Sequence, residues 1–335
     1  MKIKKILAMG IAGILAAAAL SGCGEQTAQN PTETGAAGNA SEKYKIGLCQ
    51  LVQHQALDAA TQGFEDKLET LLGKDNVEFD LQNAAGDSAT CSTIINQFVS
   101  SKYDLIFANA TASLQAATAA TSDIPIVGTS ITDYATALDM DDWDGKTNRN
   151  VTGTSDLAPL EDQAAMFKEL LPDAKKVGLL YCSNEPNSKY QVDIVAEELQ
   201  KLGYETTMYP FADSNDVAAV TTTLCDSSDA MYIPTDNTAA SSTEIIANIA
   251  NPANIPVITG EEGICSGCGV ATLSISYYSI GEVAAEMAYD ILKNDADPAN
   301  MEIKYADNLT KKYVPERAQA LGITIPDDYE ALETE

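Results

Sequence analysis

The sequence predicts an α/β fold built from two Rossmann-like units with parallel sheets, and three observations predict it. Short apolar runs of strand length alternate with segments of helical spacing from Tyr44 nearly to the end of the chain. The alternation occurs twice, in two consecutive stretches of similar grammar separated by an acidic, aperiodic excursion at 137–150. Each apolar run also ends in hydroxyls, amides or carboxylates, at the carboxyl end of the strand, where open α/β sheets bind ligands beside helix N-termini.

Before these stretches lies a leader. Lys2, Lys4 and Lys5 precede the apolar stretch Ile6 to Leu20, which ends in Leu20-Ser21-Gly22-Cys23. A basic start, an apolar core and small residues at the cut describe an export signal. The signal is expected over 1–22, and 23–43, rich in Gly, Ala, Thr, Asn and Gln, reads as a flexible tether. No other stretch approaches the ~20 apolar residues of a membrane span.

The first unit opens with a strand, Ile46 to Leu51, a polar elbow holding Gln50, Gln53, His54 and Gln55, and a helix from Ala56 to Leu72. His54 is the only histidine of the 335 residues. A strand at Val77 to Leu81 leads to a helix at Ser88 to Ser100. Asp104 to Ala108 is a third strand, ending in Asn109-Ala110-Thr111-Ala112-Ser113, where a helix of small residues begins. Ile124 to Val127 is a fourth, leaving as Gly128-Thr129-Ser130-Ile131-Thr132-Asp133. After the excursion, Val151 to Asp156 crosses toward the second unit.

There, a helix at Leu160 to Leu171 precedes a strand at Lys176 to Tyr181, a loop at Cys182 to Ser188 holding Asn184, and a helix at Tyr190 to Leu202. Glu205 to Tyr209, a helix near Asp216 to Leu224, and Ala230 to Ile233 continue the pattern, the last ending in Pro234-Thr235-Asp236-Asn237-Thr238. Pro256 to Thr259 leads to Gly260-Glu261-Glu262-Gly263, and Val270 to Ile275 to Ser276-Tyr277-Tyr278-Ser279. A long helix, Ile280 to Lys293, and a closing strand and helix within Glu302 to Leu321 complete the chain.

Composition narrows function. The formal charge is −29, and Arg149 and Arg317 are the only arginines, which argues against nucleic acid, whose affinity rests on cationic contacts to phosphate. Six cysteines besides Cys23 (Cys49, Cys91, Cys182, Cys225, Cys265 and Cys268) leave the pairing open. Cys265-Ser-Gly-Cys268 has no second such pair and no histidine nearby, so it reads as a local disulfide or two free thiols in a loop, not a metal site. No cofactor or metal is expected. The sequence lacks a Gly-x-Ser-x-Gly elbow, and one histidine cannot serve both a metal cluster and a catalytic base. An exported hydrolase using the paired carboxylates of Asp156, Asp236 and Glu261 stays as an alternative.

Residues 44–325 resemble a type I periplasmic binding protein, the solute receptor of ABC importers, and within it the substrate-binding lipoproteins that include tryptophan and tyrosine receptors. The resemblance is carried by Ile46-Gly47 with Gln50, His54-Gln55-Ala56-Leu57-Asp58-Ala59-Ala60 with Gly63-Phe64, Ile124-Pro125-Ile126-Val127 with Thr132-Asp133, and Gly153-Thr154-Ser155-Asp156. The second unit adds Tyr232-Ile233-Pro234-Thr235-Asp236-Asn237, Ile255-Pro256-Val257-Ile258 with Gly260-Glu261, Ala271-Thr272-Leu273 with Tyr277-Tyr278, and the tail Ala320-Leu321-Gly322-Ile323-Thr324-Ile325-Pro326. The elbow departs from the usual Glu-His-Pro, since Gln53 and Gln55 flank His54.

This resemblance implies two lobes joined by a three-crossover hinge, 44–155 plus 280–304 and 156–279 plus 305–335, closing on a ligand in the cleft. Cys23, after Leu-Ser-Gly, resembles a lipobox cysteine that is acylated (palmitate) and anchors the protein to the outer face of the cell membrane. The expected partners are a small ligand, best an aromatic amino acid, and the ABC permease and ATPase; the receptor itself is expected to be a monomer and not an enzyme. A zwitterion's carboxylate suits the hydroxyls and helix N-termini at Thr111, Ser113, Thr129, Ser130 and Ser155. Its ammonium needs a carboxylate, with Asp236 foremost and Asp156 and Glu261 beside it. Leu57, Tyr277 and Tyr278 offer walls for a ring, and Gln50, His54, Asn109, Asp133, Asn184 and Asn237 complete the candidates. A sugar or nucleoside receptor of the same fold, or a ligand-sensing surface receptor, are the alternatives.

Overall fold

The computed structural model describes residues 43–332. The leader, Cys23 and the tether up to residue 42 lie outside the described residues, as do 333–335.

Strands and helices alternate through both halves. In chain order they are β1 (Tyr44–Gln50), α1 (Gln55–Leu72), β2 (Val77–Asn83), α2 (Ser88–Ser100), β3 (Leu105–Asn109), α3 (Thr111–Ala120), β4 (Ile126–Ile131), α4 (Tyr134–Ala137) and β5 (Val151–Ser155). Next come α5 (Leu160–Leu170), β6 (Lys176–Cys182), α6 (Pro186–Lys201), β7 (Glu205–Phe211), α7 (Val217–Cys225), β8 (Ala230–Ile233), α8 (Asn237–Ala240), α9 (Thr243–Ala250) and β9 (Val257–Thr259). The last are α10 (Glu262–Cys268), β10 (Ala271–Ser274), α11 (Tyr277–Asn294), β11 (Lys304–Tyr305), β12 (Thr310–Tyr313), α12 (Pro315–Leu321) and β13 (Glu330–Ala331).

They form two sheets. The first has the order β11-β5-β4-β3-β1-β2 and is parallel throughout. The second runs β13-β12-β10-β9-β8-β6-β7, parallel except where β12 lies antiparallel to β10. Their strands read as near-continuous apolar runs because helices cover both faces. Leu48 and Phe107 point to one face of the first sheet with Phe64 and Ala284, while Cys49, Ile106 and Ile126 meet Phe98 and Leu114 on the other. In the second sheet, Leu179 and Tyr232 pack with Phe167 and Val192, and Leu180 and Met231 with Leu224 and Ile246.

The chain passes between the sheets three times: after Ser155, between Ser274 and Tyr277, and between Tyr305 and Thr310. Helix α11 returns to the first sheet by lying almost in contact with the backbone of α1. A Cβ on Gly63 would stand 2.1 Å from the Tyr278 carbonyl oxygen, and one on Gly281 2.1 Å from that of Ala60. Only glycine permits this approach.

Four local expectations change. Strand β4 does not stop at Val127 but runs on to Ile131 through a bulge at Gly128–Ile131, so Thr129 and Ser130 are strand residues. Helix α6 starts at Pro186, because proline suits the first helical position, and this takes Asn187 and Ser188 out of the expected loop. Short helices α8 and α9 occupy 237–250, where the sequence reading assigned no helix. Cys265 and Cys268 sit in helix α10, not in a loop: Glu261 caps its start, and both thiols are buried and free. The excursion at 137–150 forms no regular element beyond the end of α4, although Met140 and Trp143 still pack against the first core.

Candidate ligand-binding cleft

The carboxyl ends of the two sheets face each other across one small cavity. From the first sheet and its helices come His54, Leu57, Ser130, Thr132 and Tyr277; from the second come Asn187, Thr235, Asp236, Asn237, Ala240 and Glu261, with Asp156 at the crossing. The halves have shut so closely that the void is about 10 Å³, room for about one water. A larger cavity of about 300 Å³ lies beside the crossings and shares Glu261 and Tyr277 as a wall. Its one ion pair among the described residues joins Lys312 and Glu262 at 2.6 Å. The small cavity is different in kind, because it concentrates buried charge.

Three carboxylates line it, each nearly or fully buried, and no lysine or arginine faces them there. Asp156 follows β5. Its Oδ1 accepts from the Thr132 hydroxyl at 3.0 Å and its Oδ2 from the Tyr277 hydroxyl at 2.9 Å. Burial raises its pKa above the usual carboxylate range, and these two hydroxyls, then its own backbone N–H, oppose the rise. Asp236 follows β8 and caps α8, accepting from the N–H of Cys182 at 2.6 Å and of Ala239 at 2.8 Å. Burial, then the Glu185 carboxylate, push it up to about 8. Glu261 caps α10 through the N–H groups of Gly263 (2.6 Å) and Ile264, and burial raises it to about 7.

His54 ends the β1–α1 elbow. It occupies the N-cap position of α1 without capping it, which frees the ring to reach across the cleft, where Nε2 meets Asn237 Oδ1 at 3.3 Å. Burial lowers its pKa, so the imidazole is neutral and the bond is read as Nε2–H donating to the amide oxygen. Asn237 is itself held by Glu185, whose Oε2 accepts from its N–H at 3.0 Å and its Nδ2 at 2.7 Å.

Ser130 is the outlier. Its φ is +55°, in the left-handed region, and its buried hydroxyl has no hydrogen-bond partner. An unpaired buried hydroxyl on a left-handed backbone costs the fold free energy on both counts.

A model of the family described as ABC transporter substrate binding protein matches residues 45–335. The chain belongs to this family. It is therefore a small-molecule binding protein and not an enzyme, and its family works outside the cytoplasm with an ABC permease. The type I periplasmic binding protein fold is the one observed. Among relatives, a tyrosine-binding protein of Clostridioides difficile (strain R20291) is 38% identical over 294 residues, covering 87% of this chain and 85% of the relative. An ABC domain from Streptococcus pneumonia in complex with L-Trp superposes with a TM-score of 0.81 at 31% identity, covering 85% of this chain and 97% of that one. A ligand-free, open substrate binding protein with adhesive properties from Clostridium difficile is 36% identical yet gives a TM-score of only 0.67, with coverage of 87% and 100%. No helix among the described residues is long and apolar enough to cross a membrane.

Of the residues singled out in the sequence of this binding protein, His54, Leu57, Ser130, Asp156, Asp236, Asn237, Glu261 and Tyr277 meet at the cavity. Nine others do not line it, among them Ser113, Thr129 and Tyr278, whose hydroxyls meet the Cys49 and Cys91 sulfurs, the Thr154 hydroxyl and the Asp66 carboxylate, respectively. Gln50 is bound to α1, accepting from Thr61 and donating to Asp58, each at 2.7 Å. Asn109 donates to the Leu57 carbonyl at 2.8 Å, and Ser155 to that of Thr132 at 2.9 Å. Asp133 caps α4 through the Thr136 N–H at 2.7 Å, and Thr111 lies buried in the first turn of α3. Asn184 is exposed at the wider mouth beside Asp213 and Ser214. Asn187 takes the inward place instead, and Pro186 was the signal for it, since a helix starting there turns residue 187 toward the cavity. Thr132 and Thr235 stood in quoted motifs but were not singled out for the site.

Proposed function

We propose that this protein is the lipid-anchored receptor of an ABC importer, held by acylated Cys23, and that it captures an aromatic amino acid and delivers it to the permease. The carrying observation is the trio of buried carboxylates without a facing cation. Burying anions unpaired costs several kcal/mol, and a ligand ammonium is the missing partner. Relatives named for tyrosine or solved with L-Trp support the aromatic class.

Asp156 takes the ammonium in this reading, ahead of Asp236. Backbone N–H groups of other residues already occupy both Asp236 oxygens, whereas the partners that other residues give Asp156 are two hydroxyls that can rotate. Ser130 supplies a hydroxyl to the ligand carboxylate, and Leu57 and Tyr277 wall the ring. The two lobes hinge at the three crossings, after Ser155, between Ser274 and Tyr277 and between Tyr305 and Thr310, rather than at 279 and 304. Entry requires the hinge to open, because the shut cavity holds about one water. The shape supports closure around the ligand, being nearer to the L-Trp complex than to the open relative of higher identity.

The test is a melting-midpoint survey of residues 24–335 with the twenty amino acids, common sugars and nucleosides. A ligand at about 100 times its Kd adds about 2.7 kcal/mol, readily visible as a shift. Tyrosine, tryptophan or phenylalanine is expected to raise the midpoint. A rise with a sugar or nucleoside alone overturns the ligand class.

A further inference from the structure

We propose that Cys49 and Cys91 are joined by a disulfide in the mature protein. Cys49 lies in β1 and Cys91 in the first turns of α2, and both are fully buried. Each sulfur lies 3.6 Å from the hydroxyl of Ser113 in α3, which sets the two thiols beside each other. Three elements thus bring two thiols and one hydroxyl to a single point inside the first half. The family works outside the cytoplasm, where thiols in contact are oxidised and not kept reduced.

The other cysteines lack this arrangement. Cys182 donates to the Ala212 carbonyl at 3.5 Å, and Cys225 is half-buried at the end of α7. Cys265 and Cys268 lie one turn apart in α10, but Arg317 clamps that turn by donating to the carbonyls of Cys265, Ser266, Gly267 and Gly269. Drawing their sulfurs together would distort a turn the guanidinium holds in place.

The chemistry is thiol–disulfide exchange with a protein or low-molecular-weight disulfide as oxidant. Cys91, as its thiolate, is the attacking group. It displaces one sulfur of the donor and forms a mixed disulfide. Cys49 then loses its proton and attacks the Cys91 sulfur, expelling the second donor thiolate. Two S–H bonds are lost, one S–S bond forms, and the donor carries off two electrons and two protons. Because both thiols are buried, exchange takes place before α2 docks on β1. The finished bond ties the first turns of α2 to β1, beside Asp87 and Ser88 at the mouth of the cleft.

Protein taken from the outer face of intact cells, denatured in excess N-ethylmaleimide without reductant and mapped by peptide mass, tests this. A cross-linked peptide pair containing Cys49 and Cys91, two hydrogens lighter than the separate peptides, is expected. Separate alkylated peptides for Cys49 and Cys91 overturn the proposal, whether or not Cys265 and Cys268 are found joined. As a second measurement, reductant is expected to lower the melting midpoint of the wild type by several degrees and to leave a Cys49→Ala/Cys91→Ala variant unmoved. Equal sensitivity of the two overturns it. If the variant does not fold, the peptide map alone decides.

Discussion

The two walls of the cleft are built on opposite terms. The second wall, at the ends of β8 and β9, holds Asp236 and Glu261, and both are helix caps whose oxygens accept from backbone N–H groups. The first wall, at the ends of β3, β4 and β5, holds strain and unmet bonding capacity. Ala110 has φ +86° and Ser130 φ +55°; the two strand ends are joined by the Ala110 N–H donating to the Thr129 carbonyl at 3.1 Å. The Ser130 hydroxyl is unpaired, and the partners that other residues give Asp156 are side-chain hydroxyls. A carboxylate saturated by its own helix is finished business for folding. A carboxylate held by rotatable hydroxyls can turn toward a cation that arrives later.

Exchanging the two aspartates puts this contrast under the greatest strain. Removing one partner of a buried ion pair costs about 3–5 kcal/mol, so Asp156→Asn is expected to weaken aromatic amino-acid binding roughly a hundredfold or more. The unliganded variant is expected to keep or gain stability, because a desolvated charge is gone. Asp236→Asn is expected to do the reverse. Its amide cannot accept from both Cys182 and Ala239, and the loss of about 1–3 kcal/mol falls on folding, while affinity changes little. Calorimetric titration and melting curves of the two variants separate the outcomes. A larger affinity loss at Asp236 inverts the comparison.

The pH dependence gives a smaller effect spread over both walls. Asp236 is raised to about 8, Glu261 to about 7, and Asp156 is raised as well, in each case first by burial. The folded protein therefore holds protons that the unfolded chain has released, and its unliganded stability falls as pH rises from the ordinary carboxylate range toward about 8. A bound ammonium favours the ionised carboxylates, so binding expels protons and affinity increases with pH across the same window. The slope approaches about tenfold per pH unit if one whole proton is lost. Titrations in buffers of different ionisation heat measure that proton directly. Affinity independent of pH would separate the carboxylates from the ligand.

Much of the fold was legible because parallel strands covered on both faces must be apolar throughout, and β1, β3, β6 and β8 stand out as such runs. The bulged end of β4 was not legible: Gly128 and Ser130 read as turn residues, and only the register against β5 shows that they continue the strand. In the site, Asp156, Asp236 and Glu261 were legible as polar residues at strand ends. Their division of labour was not, because whether a carboxylate is filled by backbone N–H groups depends on where α8 and α10 begin. Gln50 and Asn109 stand away from the shut cavity for a related reason. Both sit at strand ends like the residues of the site, yet both turn to fasten the N-terminal half of α1.

Ser130→Gly probes the first wall with the smallest change and the most informative sign. Glycine adopts φ +55° without the steric cost serine carries there, of about 1–3 kcal/mol, and it removes a buried hydroxyl that has no partner. Against this stands the greater freedom glycine gives the unfolded chain, about 0.5–1 kcal/mol. The melting midpoint of the unliganded protein is therefore expected to hold or rise slightly. Affinity is expected to fall about three- to tenfold, the worth of one hydrogen bond of about 0.5–1.5 kcal/mol. Opposite movement of the two quantities identifies a hydroxyl kept for the ligand at the expense of the fold. A lower midpoint with unchanged affinity makes Ser130 a folding residue, and the first wall then differs from the second only in geometry.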